Sequence, residues 1–279
     1  MTPWHYRWLC QFSYIDLPGD VSSRRGQTLG RIARELTGLS ERGALACGRL
    51  SDSSLEALRV LAADPALAQL TLIDFVNSNA SSGFVAYAFR APDDSVHCVF
   101  RGSESPGCGV PTAVDWTDNF LAPFVGSAQY PEAAALARRF PDSRVTFTGH
   151  SKGAHNALCA LAALPSDRAS AVVFNGQGFS PGQLTRPQKN RLSSQGVNYV
   201  VRGDVVGTLL EHPERRVFVR RTGREHPHAL SSLSFDRRGK PVPARRPLWA
   251  YAVEWGTRMY ARSLTAAPPR PSAARPSCN

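Results

Sequence analysis

The chain has 279 residues, 42% of them hydrophobic, which is enough apolar material for one large core. Lys and Arg outnumber Asp and Glu by 33 to 22, giving a formal net charge of +11, so the surface favours anionic partners, a lipid headgroup or a nucleic acid. The six cysteines show no CxxC pair and no metal-ligand spacing, which excludes a zinc module and a required disulfide framework and suggests a reducing compartment.

Taken in chain order, residues 1–11 contain no long apolar run behind a basic start, so neither a secretory signal nor a membrane span is expected. A cytoplasmic protein, or one exported without a signal peptide, fits that reading. Gly26–Leu39 and Asp52–Ala63 read as amphipathic helices, the first with Leu29, Ile32, Ala33 and Leu36 on one face. These two helices are expected to cap the fold, within an N-terminal helical elaboration over about residues 1–68. Strand-like runs at 71–76, 84–89 and 95–101 come next, and the short polar turn from Ala91 to Ser95 suits an antiparallel hairpin at one edge.

From there, strand patterns at 144–149, 170–175, 197–202 and 216–220 alternate with helical patterns near 130–140, 152–164, 187–194 and 205–210. Such alternation predicts an α/β fold, a mostly parallel sheet with helices on both faces. Residues 104–128, with Gly107, Gly109, Pro111, Trp116 and Phe120, are the expected lid or pocket wall. Pro247–Leu264 reads as an aromatic amphipathic helix expected to pack on the body of the domain, although its pattern also suits a lipid interface. One domain over 1–264 and a disordered Pro- and Ala-rich tail over 265–279 complete the organisation.

The most informative local feature is Val145-Thr-Phe-Thr-Gly-His-Ser-Lys-Gly153, a β-rich run ending in GxSxG and entering the helical stretch Ala154–Leu164. This is the sequence form of a nucleophile elbow, in which a tight strand-to-helix turn lifts a serine hydroxyl clear of the sheet. Ser151 is therefore the candidate nucleophile.

A serine hydroxyl needs a base to take its proton, and the base needs an acid to fix its tautomer. Asp204 ends the strand-like run 197–204, where the acid is expected; a turn aspartate or helix N-cap is the plainer alternative, and Asp236 a weaker substitute. The base is sought in the loop 222–233, which holds His226 and His228. His228 is preferred because Pro227 restricts the backbone of His226. His212 reads as a solvated surface residue, and His150 and His155 point the wrong way for a base.

The oxyanion of acyl transfer needs backbone donors. Lys152, following the nucleophile, supplies one candidate N–H, and Ser103, after the strand-ending Arg101-Gly102, supplies the other.

Phe100-Arg-Gly-Ser, Asp115-Trp-Thr-Asp-Asn-Phe, Gly149-His-Ser-Lys-Gly and Phe174-Asn-Gly-Gln-Gly-Phe, in that order, resemble the class 3 lipases, with most similarity to the bacterial Mbeg-like group. The resemblance spans about residues 70–236. It implies an α/β-hydrolase fold, a triad at Ser151, Asp204 and His228, an oxyanion hole at Ser103 and Lys152, ester hydrolysis, often of lipids, and no metal or organic cofactor. In place of a second glycine common in that family, the elbow continues Gly153-Ala-His-Asn.

Two function classes are left: a serine esterase or lipase acting on a lipid or phospholipid through an acyl-enzyme, or a catalytically silent hydrolase-fold module that binds a lipid or protein. Residues 201–279 hold fifteen Arg or Lys against six Asp or Glu, which suits peripheral contact with an anionic membrane. Nucleic acid is not the expected partner, because no recognition module is visible and aromatics are not interleaved with the basic residues.

Overall fold

The computed structural model describes residues 1–19, 21–45, 48–78, 80–103 and 129–266. The expected lid at 104–128, the motif beginning at Asp115, Cys47, Cys108, Cys278 and nearly all of the expected tail lie outside the described residues.

Seven strands form one sheet in sequence order: β1 (Thr71–Ser78), β2 (Phe84–Arg90), β3 (Val96–Phe100), β4 (Val145–His150), β5 (Ala169–Phe174), β6 (Gly196–Val201) and β7 (Arg215–Val219). The first three pair antiparallel, and β3 to β7 are parallel. The turn between β2 and β3 is built by Asp93, whose carboxylate accepts from the Ser95 amide at 3.1 Å and the Ser95 hydroxyl at 2.6 Å.

Alternation along each strand sends side chains to opposite faces, so β2 can feed two cores at once. Val85, Tyr87 and Phe89 join one core with α1 (Pro3–Ser13), α2 (Leu29–Glu41), α3 (Asp52–Ala63) and α4 (Pro65–Ala68). Phe84, Ala86 and Ala88 join the other with α5 (Tyr130–Ala137), α6 (Lys152–Ala163) and α7 (Arg186–Gln195), through Leu136, Leu158, Leu161 and Leu192. Burial on both faces explains why β3 and β5 read as nearly continuous apolar runs. The architecture is that of an α/β hydrolase.

The structure departs from the sequence reading in three places. First, α1, which the sequence reading did not place as a helix, is part of the core: Leu9 and Phe12 are fully buried, and the Cys10 thiol lies 3.4 Å from the Thr148 hydroxyl on β4. Pro3 opens this helix, and the Thr2 amide donates to His5 Nδ1 at 2.9 Å. Second, the helix expected at 205–210 is a single turn, Val206–Thr208, which ends as Leu209 becomes extended at φ −74° and ψ 137°, ahead of Leu210 at φ 69°. Third, α8 (Leu248–Ala266) buries Ala250 and Ala261 and leaves Leu248, Tyr251, Trp255 and Met259 exposed, so its bulky face does not pack on the body. Among the described residues, Cys10, Cys98 and Cys159 are free thiols, and no helix is long and apolar enough to cross a membrane.

Candidate active site

The elbow is shaped by steric exclusion. Ser151 sits between β4 and α6 at φ 58° and ψ −125°, a strained conformation for a residue with a side chain. A Cβ on Gly149 would lie 2.2 Å from the Gly153 carbonyl oxygen, and one on Gly153 would lie 2.2 Å from the Phe100 carbonyl oxygen. Only glycine fits at either position, which is the physical content of the GxSxG spacing. The Ser151 amide is satisfied by the Phe174 carbonyl at 3.1 Å.

The structure brings the three expected residues into one chain of contacts. His228 Nε2 lies 2.9 Å from Ser151 Oγ, and His228 Nδ1 lies 2.9 Å from Asp204 Oδ1. Asp204 is buried, and its carboxylate also accepts from the Val206 amide at 3.2 Å and the Gly207 amide at 2.9 Å. It therefore caps the Val206–Thr208 turn and faces the imidazole at once, so its two sequence readings describe one residue. An ionised carboxylate only accepts, so the proton between Asp204 and His228 resides on Nδ1. That leaves the Nε2 lone pair for the serine hydroxyl.

The other histidines take different places. His226 is exposed, and its Nδ1 accepts from the His228 amide at 3.2 Å. His212 is a correction: its side chain is buried, with Nδ1 2.8 Å from Glu214 Oε1. Burial opposes charge on Glu214, but His212 and the Asn198 amide outweigh it and hold the carboxyl below its ordinary range. His155 pairs with the Tyr130 hydroxyl and the Gln177 carbonyl, and burial lowers its pKa to about 4.

Three residues that the sequence reading left without a role hold the His228 loop. His150 Nε2 lies 2.7 Å from the His228 carbonyl oxygen, so that nitrogen carries the proton and donates. Its Nδ1 then accepts from the Tyr14 hydroxyl at 2.9 Å. Burial lowers the His150 pKa to about 3, with the neighbouring His228 adding to the effect, so the ring is neutral. The two rings lie 4.8 Å apart between centroids. From the end of β5, Asn175 donates its Nδ2 to the His228 carbonyl at 3.1 Å and to the Pro227 carbonyl at 3.3 Å, while its Oδ1 accepts from the Val201 amide at 2.9 Å. His150 is indeed not aimed at Ser151, since it is aimed at the backbone that carries the neighbouring imidazole. Tyr14, just past α1, gives no signal in the sequence because the contact spans 136 residues.

Lys152 opens α6 and is buried, with its amide in the first turn of that helix. Gly102 lies under the elbow: a Cβ there would meet the Tyr14 hydroxyl at 2.2 Å and the His150 carbonyl at 2.5 Å. Ser103 is the next residue, so the chain enters the elbow's surroundings immediately before it. Arg101, also buried, anchors that entry with Nη1 on Asp16 at 2.7 Å and its amide on the Val85 carbonyl at 2.9 Å. Among the described residues no cluster of His, Cys, Asp and Glu is arranged to hold a metal ion.

The sequence profile of the phospholipase-like family, Tle-like phospholipase domain, matches residues 48–231. It carries the lipase-like resemblance but not the Mbeg-like subgroup. No curated protein sequence matches the chain. Similar solved structures include a Rhizomucor miehei lipase propeptide complex, at 16% identity and a TM-score of 0.44 over 78% of this chain and 67% of that one. A mutant form of MDLA from Penicillium cyclopium gives 12% identity and 0.47 over 90% and 93%. The Lip2 lipase of Yarrowia lipolytica gives 13% identity and 0.45 over 91% and 90%.

Proposed function

The chain belongs to the Tle-like phospholipase domain family and is a carboxylic ester hydrolase of the lipase and phospholipase kind; on that premise we propose that it cleaves a lipid or phospholipid ester through an acyl-enzyme on Ser151. The observation that carries this reading is the continuous contact from Ser151 Oγ through His228 to buried Asp204.

In the proposed reaction, Ser151 Oγ attacks the ester carbonyl carbon as His228 Nε2 takes its proton. Asp204 keeps the second imidazole proton on Nδ1 and stabilises the imidazolium that forms. The amides of Lys152 and Ser103 receive the oxyanion, an interaction commonly worth about a hundredfold to a thousandfold in rate per donor. Collapse breaks the bond to the alcohol, which leaves with the proton from His228. Water then attacks the acyl-enzyme, giving up its proton to the same nitrogen, and the fatty acid departs as Ser151 regains its hydrogen. The basic balance of residues 201–279 supports peripheral contact with an anionic lipid surface.

The test is product analysis by mass spectrometry on a panel of phospholipid, triglyceride and acyl thioester. Fatty acid should appear from at least one lipid ester, and Ser151→Ala should slow its release by about 10⁶-fold while the fold persists. Undiminished release by that variant would remove Ser151 from the chemistry.

A further inference from the structure

We propose that the outward face of α8 is a docking surface for an anionic lipid bilayer, and that docking there brings the Asp204 side of the site to the membrane. The inference rests on the lipid-hydrolase reading and adds the surface by which the substrate layer is met.

Seven of the nine exposed large apolar residues of the described chain lie on this one helix. Leu248 is 87% exposed, Tyr251 54%, Trp255 69% and Met259 45%, and their spacing places all four on one side of the helix. On the opposite side, small or polar residues make the contacts with the body. Ala250 and Ala261 are buried, Thr257 Oγ1 accepts from the Leu210 amide at 2.9 Å, and Glu254 is tied to Arg216 and Arg246. A helix normally turns its bulky stripe toward the core. Here the orientation is inverted, and the side chains left in water include Trp and Tyr, which favour the membrane–water boundary.

Charge selects the occupant. The only acid within Leu248–Ala266 is Glu254, on the inward side and paired with arginines, while Arg245, just before the helix, and Arg262, within it, are exposed. A second copy packed face to face would bring its own arginines against these, with no carboxylate to receive them. Anionic headgroups supply that complement, as each basic residue near such a surface adds to binding. Position completes the argument. α8 packs on the Val206–Thr208 turn that Asp204 caps, and Val205, beside the acid, is itself 52% exposed.

The experiment compares the full chain carrying Ser151→Ala, so that vesicles stay intact, with the same chain carrying Trp255→Glu and Met259→Glu. Cosedimentation is read with phosphatidylglycerol/phosphatidylcholine vesicles and with pure phosphatidylcholine vesicles. The parent should partition onto the anionic vesicles, less onto the neutral ones, and the double glutamate variant at least about tenfold more weakly. In the Ser151 background, the same two changes should slow hydrolysis of vesicle lipid by a similar factor, leave hydrolysis of a water-soluble short-chain ester unchanged, and leave the melting temperature unchanged. Equal partitioning by parent and variant overturns the proposal, as does an equal loss on the soluble ester. A dimer seen by light scattering that the variant breaks without altering vesicle binding assigns the face to a second copy. If the Ser151 chain hydrolyses neither ester while α8-dependent partitioning persists, the hydrolase reading fails and the docking face stands.

Discussion

The two ends of the described chain carry helices of nearly the same character with opposite fates. α1 holds Trp4, Tyr6, Trp8 and Phe12 and lies against the sheet; α8 holds Trp249, Tyr251, Trp255 and Tyr260 and shows them to solvent. The difference lies in what each helix meets. Phe12 stacks edge-on against Tyr87 and Phe89 of β2, with ring centroids 5.4 and 5.9 Å apart, whereas α8 presents Ala250 to Phe218 and Val200 and keeps Glu254 among arginines. Periodicity locates an apolar stripe, but the partner surface decides which way it faces.

The contrast breaks most readily at the core. Phe12→Ala should destabilise the fold by about 3–5 kcal/mol, read as the shift in urea unfolding; a loss below about 1 kcal/mol would remove α1 from the core. Acid should act on α1 next, because two polar contacts from α1 and its C-terminal cap to the sheet run through buried neutral histidines. The Tyr6 hydroxyl lies 3.3 Å from His97, and the Tyr14 hydroxyl contacts His150. Burial lowers the pKa of His97 to about 4 and of His150 to about 3, from 6.5. The unfolded chain therefore binds these protons first as pH falls, so stability is intact above about pH 6.5 and lost progressively below it. At pH 5 the loss is on the order of 2 kcal/mol per ring, and hydrogen exchange should show α1 loosening between pH 7 and pH 5. Protection of α1 that does not change between pH 7 and pH 5 would count against this account.

A smaller effect separates positioning from packing. Tyr14→Phe removes the hydroxyl that His150 accepts from, and should lower kcat about fivefold to tenfold with KM unchanged, in line with about 1 kcal/mol for one hydrogen bond. A change confined to KM would mean that Tyr14 touches substrate instead. The smallest effect belongs to α8: Trp255→Ala should alter stability by less than about 0.5 kcal/mol, because the ring is already in water.

The strands were legible in the sequence because each is a short apolar run bounded by turn residues, and burial on both faces leaves few other ways to arrange them. The elbow was legible because its steric demand is local, glycine to glycine across five residues. Asp204 and His228 were reachable because the acid and the base come after the nucleophile in a known order, and the structure sets both within hydrogen-bond distance of their neighbours. The Tyr14–His150 link was not, since nothing in either segment marks a partner so far along the chain. His212 misled because its polar neighbours, Glu211 and Glu214, look like a surface stretch, yet Glu214 turns inward and takes the imidazole with it.

The central claim is tested most directly by intact-mass analysis after exposure to a fluorophosphonate. The native chain should gain one adduct, mapped to Ser151, and His228→Ala should slow its formation by at least about a thousandfold without unfolding the protein. An adduct on another residue, or labelling at an undiminished rate without the imidazole, would contradict the account.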